Sequence, residues 1–167
     1  MSAHQSHNAT IHLGDIIMTD NTPRIISLNI SPGGIPKLPV AQVRVTTDCQ
    51  EGDGRAHAKH ISPDRAISLI DDEILQQLRD EGYAVTPGAM GENLTVRNLH
   101  VQRLSPGARL RIDGGVVIEL VEPRKPCFVL DAIHPDLKAA VADRCGYLAK
   151  VITEGTIYSG AILAVEE

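Results

Sequence analysis

Apolar and polar positions alternate along this chain in short runs, and clusters of glycine and proline break the runs apart. The stretch RIISLNIS (24–31) alternates with the period of a half-buried strand, and VAQVRVTT (40–47) repeats the pattern. RAISLI (65–70) predicts a further strand. DDEILQQLRDEG (71–82) switches to helical spacing: acids fill its first turn, apolar residues fall at 74, 75 and 78, and Gly82 stops it. RLSPGARLRI and GGVVIELVEP predict a hairpin turning at Asp113-Gly114-Gly115. HPDLKAAVADRCG (134–146) predicts a second helix, with Pro135 near its first position and Gly146 past its end. YLAKVITEGTIYSGAILAVE predicts two closing strands around Glu154-Gly155. Eight or nine short strands joined by turns, with two modest helices, predict a mainly β protein built as an antiparallel β-barrel.

Composition narrows the class. The 167 residues are 43% hydrophobic and 22% charged, which suits one globular domain. The net charge is −5, and Phe128, Tyr83, Tyr147 and Tyr158 are the only aromatics. That combination argues against nucleic acid as a partner, because both phosphate neutralisation and base stacking lack their side chains. No run approaches the roughly 18 apolar residues of a membrane helix, so no membrane partner is expected. Three scattered cysteines, Cys49, Cys127 and Cys145, suggest reduced thiols and a cytoplasmic setting. Residues 1–23 contain no Lys or Arg and read as a polar, mobile leader, with Met18 as a second potential start, ahead of one domain over 24–167.

Four loops carry the candidate chemistry: 31–39, 52–65, 87–94 and 123–127. Each is rich in Gly or Pro and holds isolated polar residues. Gathered at one mouth of a barrel, they would bring together Lys37, Asp53, Arg55, His57, His60, Arg65, Glu92, Asn93, Arg124 and Cys127. Glycines allow close backbone approach to an anion, and Arg and Lys supply charge and hydrogen bonds. EPRKPCFVL (122–130) reads as a rigid loop leading into an apolar, strand-like run. Two prolines fix its backbone, and Arg124 and Lys125 favour thiolate at Cys127. Cys49, His57 and His60 offer a conceivable zinc set, against which stands the plainer reading of solvated loop histidines. Glu92 is either a general acid or base or a tie for its own loop. GDG (52–54) is, taken alone, a turn. GAMGEN (88–93) lacks the strand-to-helix context of a dinucleotide fingerprint.

Taken in order, SPGGIPKLPV, EGDGRAHAKHISPDRAISL, PGAMGENLTV and EPRKPCFVL closely resemble the MOSC domain, the C-terminal domain of molybdenum cofactor sulfurases, which also occurs as small standalone proteins. The resemblance covers about residues 24–165 and rests on the spaced set GGxPK, GD, PDRA, PGxxGENL and PRxPC. It implies a barrel of the pyruvate-kinase-barrel type and two or three short helices. It matches Cys127 to the family's signature cysteine, which ligates molybdenum of a pterin cofactor in amidoxime-reducing members and carries persulfide sulfur in sulfurase-type proposals. It further implies Arg124, Lys37 and Arg65 at the pterin phosphate, with Asn93 and the amides of Gly88 to Gly91 at the pterin; Asp53, Arg55 and Glu92 complete the expected cofactor-binding set. Where many members read His-Gly-Gly before the PDRA stretch, this chain reads His60-Ile61-Ser62. The extra domains of the larger amidoxime-reducing enzymes and of the sulfurases are absent from the sequence. The expectation is therefore a molybdenum-cofactor protein that reduces an N-hydroxylated or N-oxide small molecule with electrons from a separate partner. A sulfur carrier with its own acceptor protein, and a non-catalytic ligand-binding module, are the alternatives.

Overall fold

The computed structural model describes residues 20–54 and 62–166. Residues 1–19 of the expected 1–23 leader, Met18 among them, and Arg55, His57 and His60 lie outside the described residues.

Among the described residues, ten strands and two α-helices follow in chain order: β1 (Arg24–Ile30), β2 (Leu38–Val40), β3 (Gln42–Val45), β4 (Ile67–Asp71), α1 (Asp72–Asp80), β5 (Leu94–Arg97), β6 (Arg109–Ile112), β7 (Val116–Pro123), α2 (Leu137–Ala140), β8 (Tyr147–Thr153), β9 (Gly155–Tyr158) and β10 (Leu163–Val165). Eight of them form one sheet in the order β10-β6-β7-β8-β4-β5-β1-β2, and β3 pairs with β9 in a second. The start of β1, next to the edge strand β2, meets the residue before the other edge strand, β10, at an isolated bridge, Arg24↔Ile162, flanked by the hydrogen bonds Ile25 N to Ala161 O (2.9 Å) and Leu163 N to Pro23 O (2.9 Å).

The structure corrects several expectations. The sheet is mixed rather than purely antiparallel, because β4 and β5 run parallel, with Leu69 opposite Leu94 and Ile70 opposite Thr95. A helix connects them, and a parallel pair requires such a crossover. The 40–47 run is not one strand: the chain breaks at Ala41, β2 joins β1 in the large sheet, and β3 turns away to pair with β9. The closing segment makes three strands, and β8 and β9 find different partners, β7 and β3. The second helix shrinks to α2, and the apolar run after Cys127 is a 3₁₀ helix, Phe128–Ala132. A run of only three apolar residues does not distinguish strand from helix, and packing decided it.

Helix α1 follows its sequence closely. Leu75 and Leu78 are fully buried. Gly82 takes φ +98°, its N–H reaches the Arg79 carbonyl (3.0 Å) and the Tyr83 N–H reaches that of Leu78 (2.9 Å), so the left-handed residue closes the last turn. The core has two parts. Ile25, Leu28, Ile67, Leu69, Leu94 and Ile118 belong to the cluster lining the large sheet. A second cluster, with Ile70, Leu78, Met90, Leu130, Leu137 and Cys145, packs beneath the helices. Residues 20–23 are tied to the body, with Asn98 Nδ2 donating to the Asp20 carbonyl at 3.0 Å. Among the described residues, no helix is long and apolar enough to cross a membrane.

Candidate functional site

The strands β1, β5 and β4 lie side by side, and the faces turned away from the main core cluster carry polar residues that are nevertheless buried. Asn29, Thr95 and Ser68 are all buried. Buried polar groups need partners, and these find one another. Asn29 Nδ2 donates to Thr95 Oγ1 (3.2 Å), Thr95 Oγ1 to Glu92 Oε1 (2.9 Å), and the backbone N–H of Ser68 to Asn93 Oδ1 (3.0 Å). Ser68 and Asn93 of this network line a cavity of about 360 Å³.

Four of the expected loops meet there. Lys37, Asp53, Arg65, Gly91, Asn93, Arg124 and Cys127 all line the cavity. Asp53 is the joint between loops: Oδ1 accepts the Ser31 N–H (3.0 Å), and Oδ2 accepts both Lys37 Nζ (2.5 Å) and Asn93 Nδ2 (2.8 Å). With side-chain exposures of 12% and 2%, the Lys37–Asp53 pair is a buried one. The side-chain amide of Asn93 is committed to protein acceptors, since Nδ2 also lies 3.1 Å from Gln50 Oε1.

Glu92 does not line the cavity. Its Oε1 accepts the Gly88 N–H at 2.6 Å, so its carboxylate ties down its own loop, the second of the two roles open from the sequence. Burial pushes its pKa up, while the Gly88 hydrogen bond and the nearby Arg124 charge oppose that rise. Gly88 is also absent from the lining. It has φ +83°, and a Cβ there would stand 2.2 Å from the Lys37 carbonyl oxygen, so glycine lets two site loops touch. At Gly91, φ +81°, a Cβ would meet Ile35 Cγ2 at 2.9 Å and Arg124 Nη2 at 3.3 Å.

Arg124 leaves the end of β7. Its N–H is fixed by the Gly146 carbonyl (2.8 Å), and its Nη2 donates to the Met90 carbonyl (2.5 Å). Nη1 is buried and has no hydrogen-bond partner among the described residues. Three residues on, Cys127 precedes the 3₁₀ helix, and its carbonyl accepts the Leu130 N–H (3.1 Å). The thiol is half-buried, and all three cysteines are free. Cys145 lies in the core, where burial pushes its thiol pKa up against the opposing charge of Arg124. Among the described residues, no group of three His, Cys, Asp or Glu side chains gathers to hold a metal; the zinc set with Cys49 cannot be placed, as its histidines lie outside them.

Sequence reasoning missed part of the lining. Ser68, Glu122, Val129 and Leu148 face the cavity too, as does Lys125, which the sequence placed only beside Cys127. Asn29 and Ser68 left no signal, because each alternates with leucines and isoleucines and reads as the solvent face of a half-buried strand. Glu122 left none. The cavity wall thus presents four cations (Lys37, Arg65, Arg124, Lys125) against two carboxylates (Asp53, Glu122), in a chain whose net charge is −5.

That excess of positive charge around a thiol can grip an anion and hold a soft metal by one protein sulfur. The chain is similar to several known proteins. YflK of Bacillus subtilis (strain 168) is 31% identical over 137 residues, covering 78% of this chain and 62% of its own. A protein named reductase from Gibberella moniliformis (strain M3125 / FGSC 7600) is 29% identical over 126 residues, covering 70% of this chain. The chain thus spans less than two-thirds of the length of the first relative, and only 22% of the second. The crystal structure of YiiM from Geobacillus stearothermophilus superposes with a TM-score of 0.71 at 29% identity, covering 87% of this chain and 75% of that one. A profile of the MOSC domain matches residues 56–164, which take in the PDRA, GENL and PRxPC stretches, and by that match the chain belongs to the MOSC domain family.

Proposed function

We propose that the cavity binds a molybdenum cofactor and that the protein is a reductase of small N-hydroxylated or N-oxide compounds. The observation that carries this reading is one cavity lined by Cys127 and four cations, among them Arg124, whose Nη1 is buried with no hydrogen-bond partner among the described residues. MOSC domains in general are associated with this cofactor, and a relative covering 70% of the chain is named a reductase.

The residues present fit such a group. A volume of about 360 Å³ falls within the ordinary range for small-ligand pockets. An unpartnered buried guanidinium nitrogen is costly unless an acceptor arrives, and a phosphate oxygen is such an acceptor. Ile35, Val129 and Leu148 provide apolar wall for a flat heterocycle. A thiolate at Cys127 is a soft ligand suited to molybdenum. When bound, the cofactor would supply two-electron redox chemistry.

The chain's own residues do the rest. Arg124, Arg65 and Lys125 hold the anionic end, and Arg124 is oriented for this by its bond to Met90. Lys37 is fixed by Asp53 and acts from a set position. The Gly91 backbone permits close approach that a side chain would block. Half-burial of Cys127 within a walled cavity limits water at the sulfur. It also favours this reading over a sulfur carrier, which needs a thiol presented to a docking protein. Electrons come from a separate donor, in a reducing compartment that keeps the three thiols free. We also infer that the β1–β10 meeting at Arg24 and Ile162 curls the large sheet into a barrel, with the cavity at its mouth.

The test is elemental. Protein purified from a host that makes the cofactor is expected to carry molybdenum in near-stoichiometric amount, and Cys127→Ser is expected to lose it while keeping its thermal midpoint. Wild-type protein without molybdenum, or Cys127→Ser that retains it in full, overturns the assignment.

A further inference from the structure

Two of the four cavity cations are already held by carboxylates, and the two pairs differ in kind. Lys37–Asp53 is buried, and Asp53 also serves Ser31 and Asn93. It is part of the scaffold. Arg65 and Glu122 meet at 3.0 Å with side-chain exposures of 44% and 39%. Half-exposed ion pairs of this sort hold together only weakly. Arg65 projects from a single 3₁₀ turn, Pro63–Arg65, which has no buried residue of its own. Glu122 sits where the β7–β8 register shifts, between Leu120 and Glu122, and it faces Leu148, another residue of the cavity wall. An irregularity at that point re-aims a strand side chain, a use such irregularities often have beside binding sites.

We propose that Glu122 is a resident competitor for Arg65. In the empty cavity its carboxylate occupies the guanidinium. An arriving ligand takes Arg65 through a phosphate-type oxyanion, and Glu122 is left unpaired beside the new negative charge. The residue therefore sets specificity. A free small oxyanion must displace Glu122 with nothing to offset the cost, whereas a larger ligand compensates through contacts at Arg124, the apolar wall and Cys127. This deepens the reading that the cavity receives an anionic group, and it rests on that reading.

The experiment titrates the full chain with inorganic phosphate by calorimetry at fixed ionic strength, for the wild type, Glu122→Gln, Arg65→Gln and the double variant. Glu122→Gln is expected to bind phosphate about fivefold more tightly than the wild type, which corresponds to ~1 kcal/mol, the upper end for a half-exposed pair. Arg65→Gln is expected to bind more weakly. In the Arg65→Gln background, removal of the Glu122 charge is expected to change affinity less than about twofold, since neighbouring residues couple only through the interaction they share. Unchanged or weaker binding by Glu122→Gln overturns the proposal. So does an equal gain in both backgrounds, which would mean a general charge effect, and so does the absence of phosphate binding in every variant. Should Glu122→Gln fail to fold, Glu122→Thr keeps a strand-compatible side chain and carries the same expectation. Molybdenum content separates the two readings: a cofactor-loaded wild type with no gain in Glu122→Gln sinks the competitor alone, and a gain without molybdenum sinks the cofactor alone.

Discussion

Cys127 and Cys145 both lie close to Arg124, yet their surroundings make them chemically unlike. Cys127 opens onto a cavity walled by Arg124 and Lys125, whereas Cys145 is 1% exposed and packs against Leu130 and Leu137. Cys49 is half-buried in a turn, where its carbonyl accepts from the Thr46 N–H (2.9 Å), and it follows Asp48. Local cations concentrate an anionic reagent. Iodoacetate is therefore expected to modify Cys127 ahead of the other two, and the iodoacetate-to-iodoacetamide rate ratio is expected to be higher at Cys127 than at Cys49. Peptide mass spectrometry over a short time course reads both quantities. Earlier labelling of Cys145, or a lower ratio at Cys127, would contradict the charge distribution described for the cavity.

At the scale of elements, the junction of β4 and α1 stores a titratable group. Asp71 is 2% exposed, and its Oδ2 accepts the Val101 N–H at 2.7 Å while Oδ1 has no hydrogen-bond partner among the described residues. Burial is the main cause that raises its pKa from 3.8 to about 6, opposed by that hydrogen bond. Because the folded value lies above the unfolded one, the folded chain keeps the proton over this interval and unfolding releases it. The contribution of Asp71 to stability is complete below about pH 4 and is lost as the pH rises through about 6, a loss on the order of 3 kcal/mol. Asp71→Asn cannot ionise. Its thermal midpoint relative to wild type is expected to climb between pH 4 and pH 7.5. A difference that does not vary with pH would show that Asp71 titrates normally. The same junction shows why the parallel pairing escaped the sequence. The pattern placed strand, helix and strand in the right order, but direction depends on where the crossover returns, and that is a property of the packed chain.

Over the whole molecule, stability rests on a large mixed sheet whose middle strands have neighbours on both edges. Leu69 of β4 is fully buried, opposite Tyr147 of β8 on one side and Leu94 of β5 on the other. Leu69→Ala is expected to cost about 2–5 kcal/mol, the range for a buried leucine whose site cannot collapse. Ile152, 38% exposed near the end of β8, is expected to cost less than about 1.5 kcal/mol on the same change. Urea unfolding with an unchanged slope checks both. Equal losses at the two positions would mean that the sheet is not the unit that organises the core.

Local chemistry fixed what local chemistry can fix. The alternation in RIISLNIS became β1 over Arg24–Ile30, the acids and leucines of 71–82 became α1, and Gly82 ended it, because period, capping and a left-handed residue act within a few neighbours. The motif loops announced Lys37, Asp53, Arg65, Asn93, Arg124 and Cys127 by residue type and spacing. Other features depended on residues far apart in sequence meeting in space. Tertiary structure alone sent β2 and β3 to different sheets and turned the run after Cys127 into a 3₁₀ helix, and it decided between the two roles open to Glu92 in favour of the tie to its own loop. It alone set Glu122 against Arg65, a pair separated by 57 positions, counted as 122 less 65. No pattern in a single strand encodes such a pair, because its energy exists only once β7 and the 63–65 turn share a wall of the same cavity.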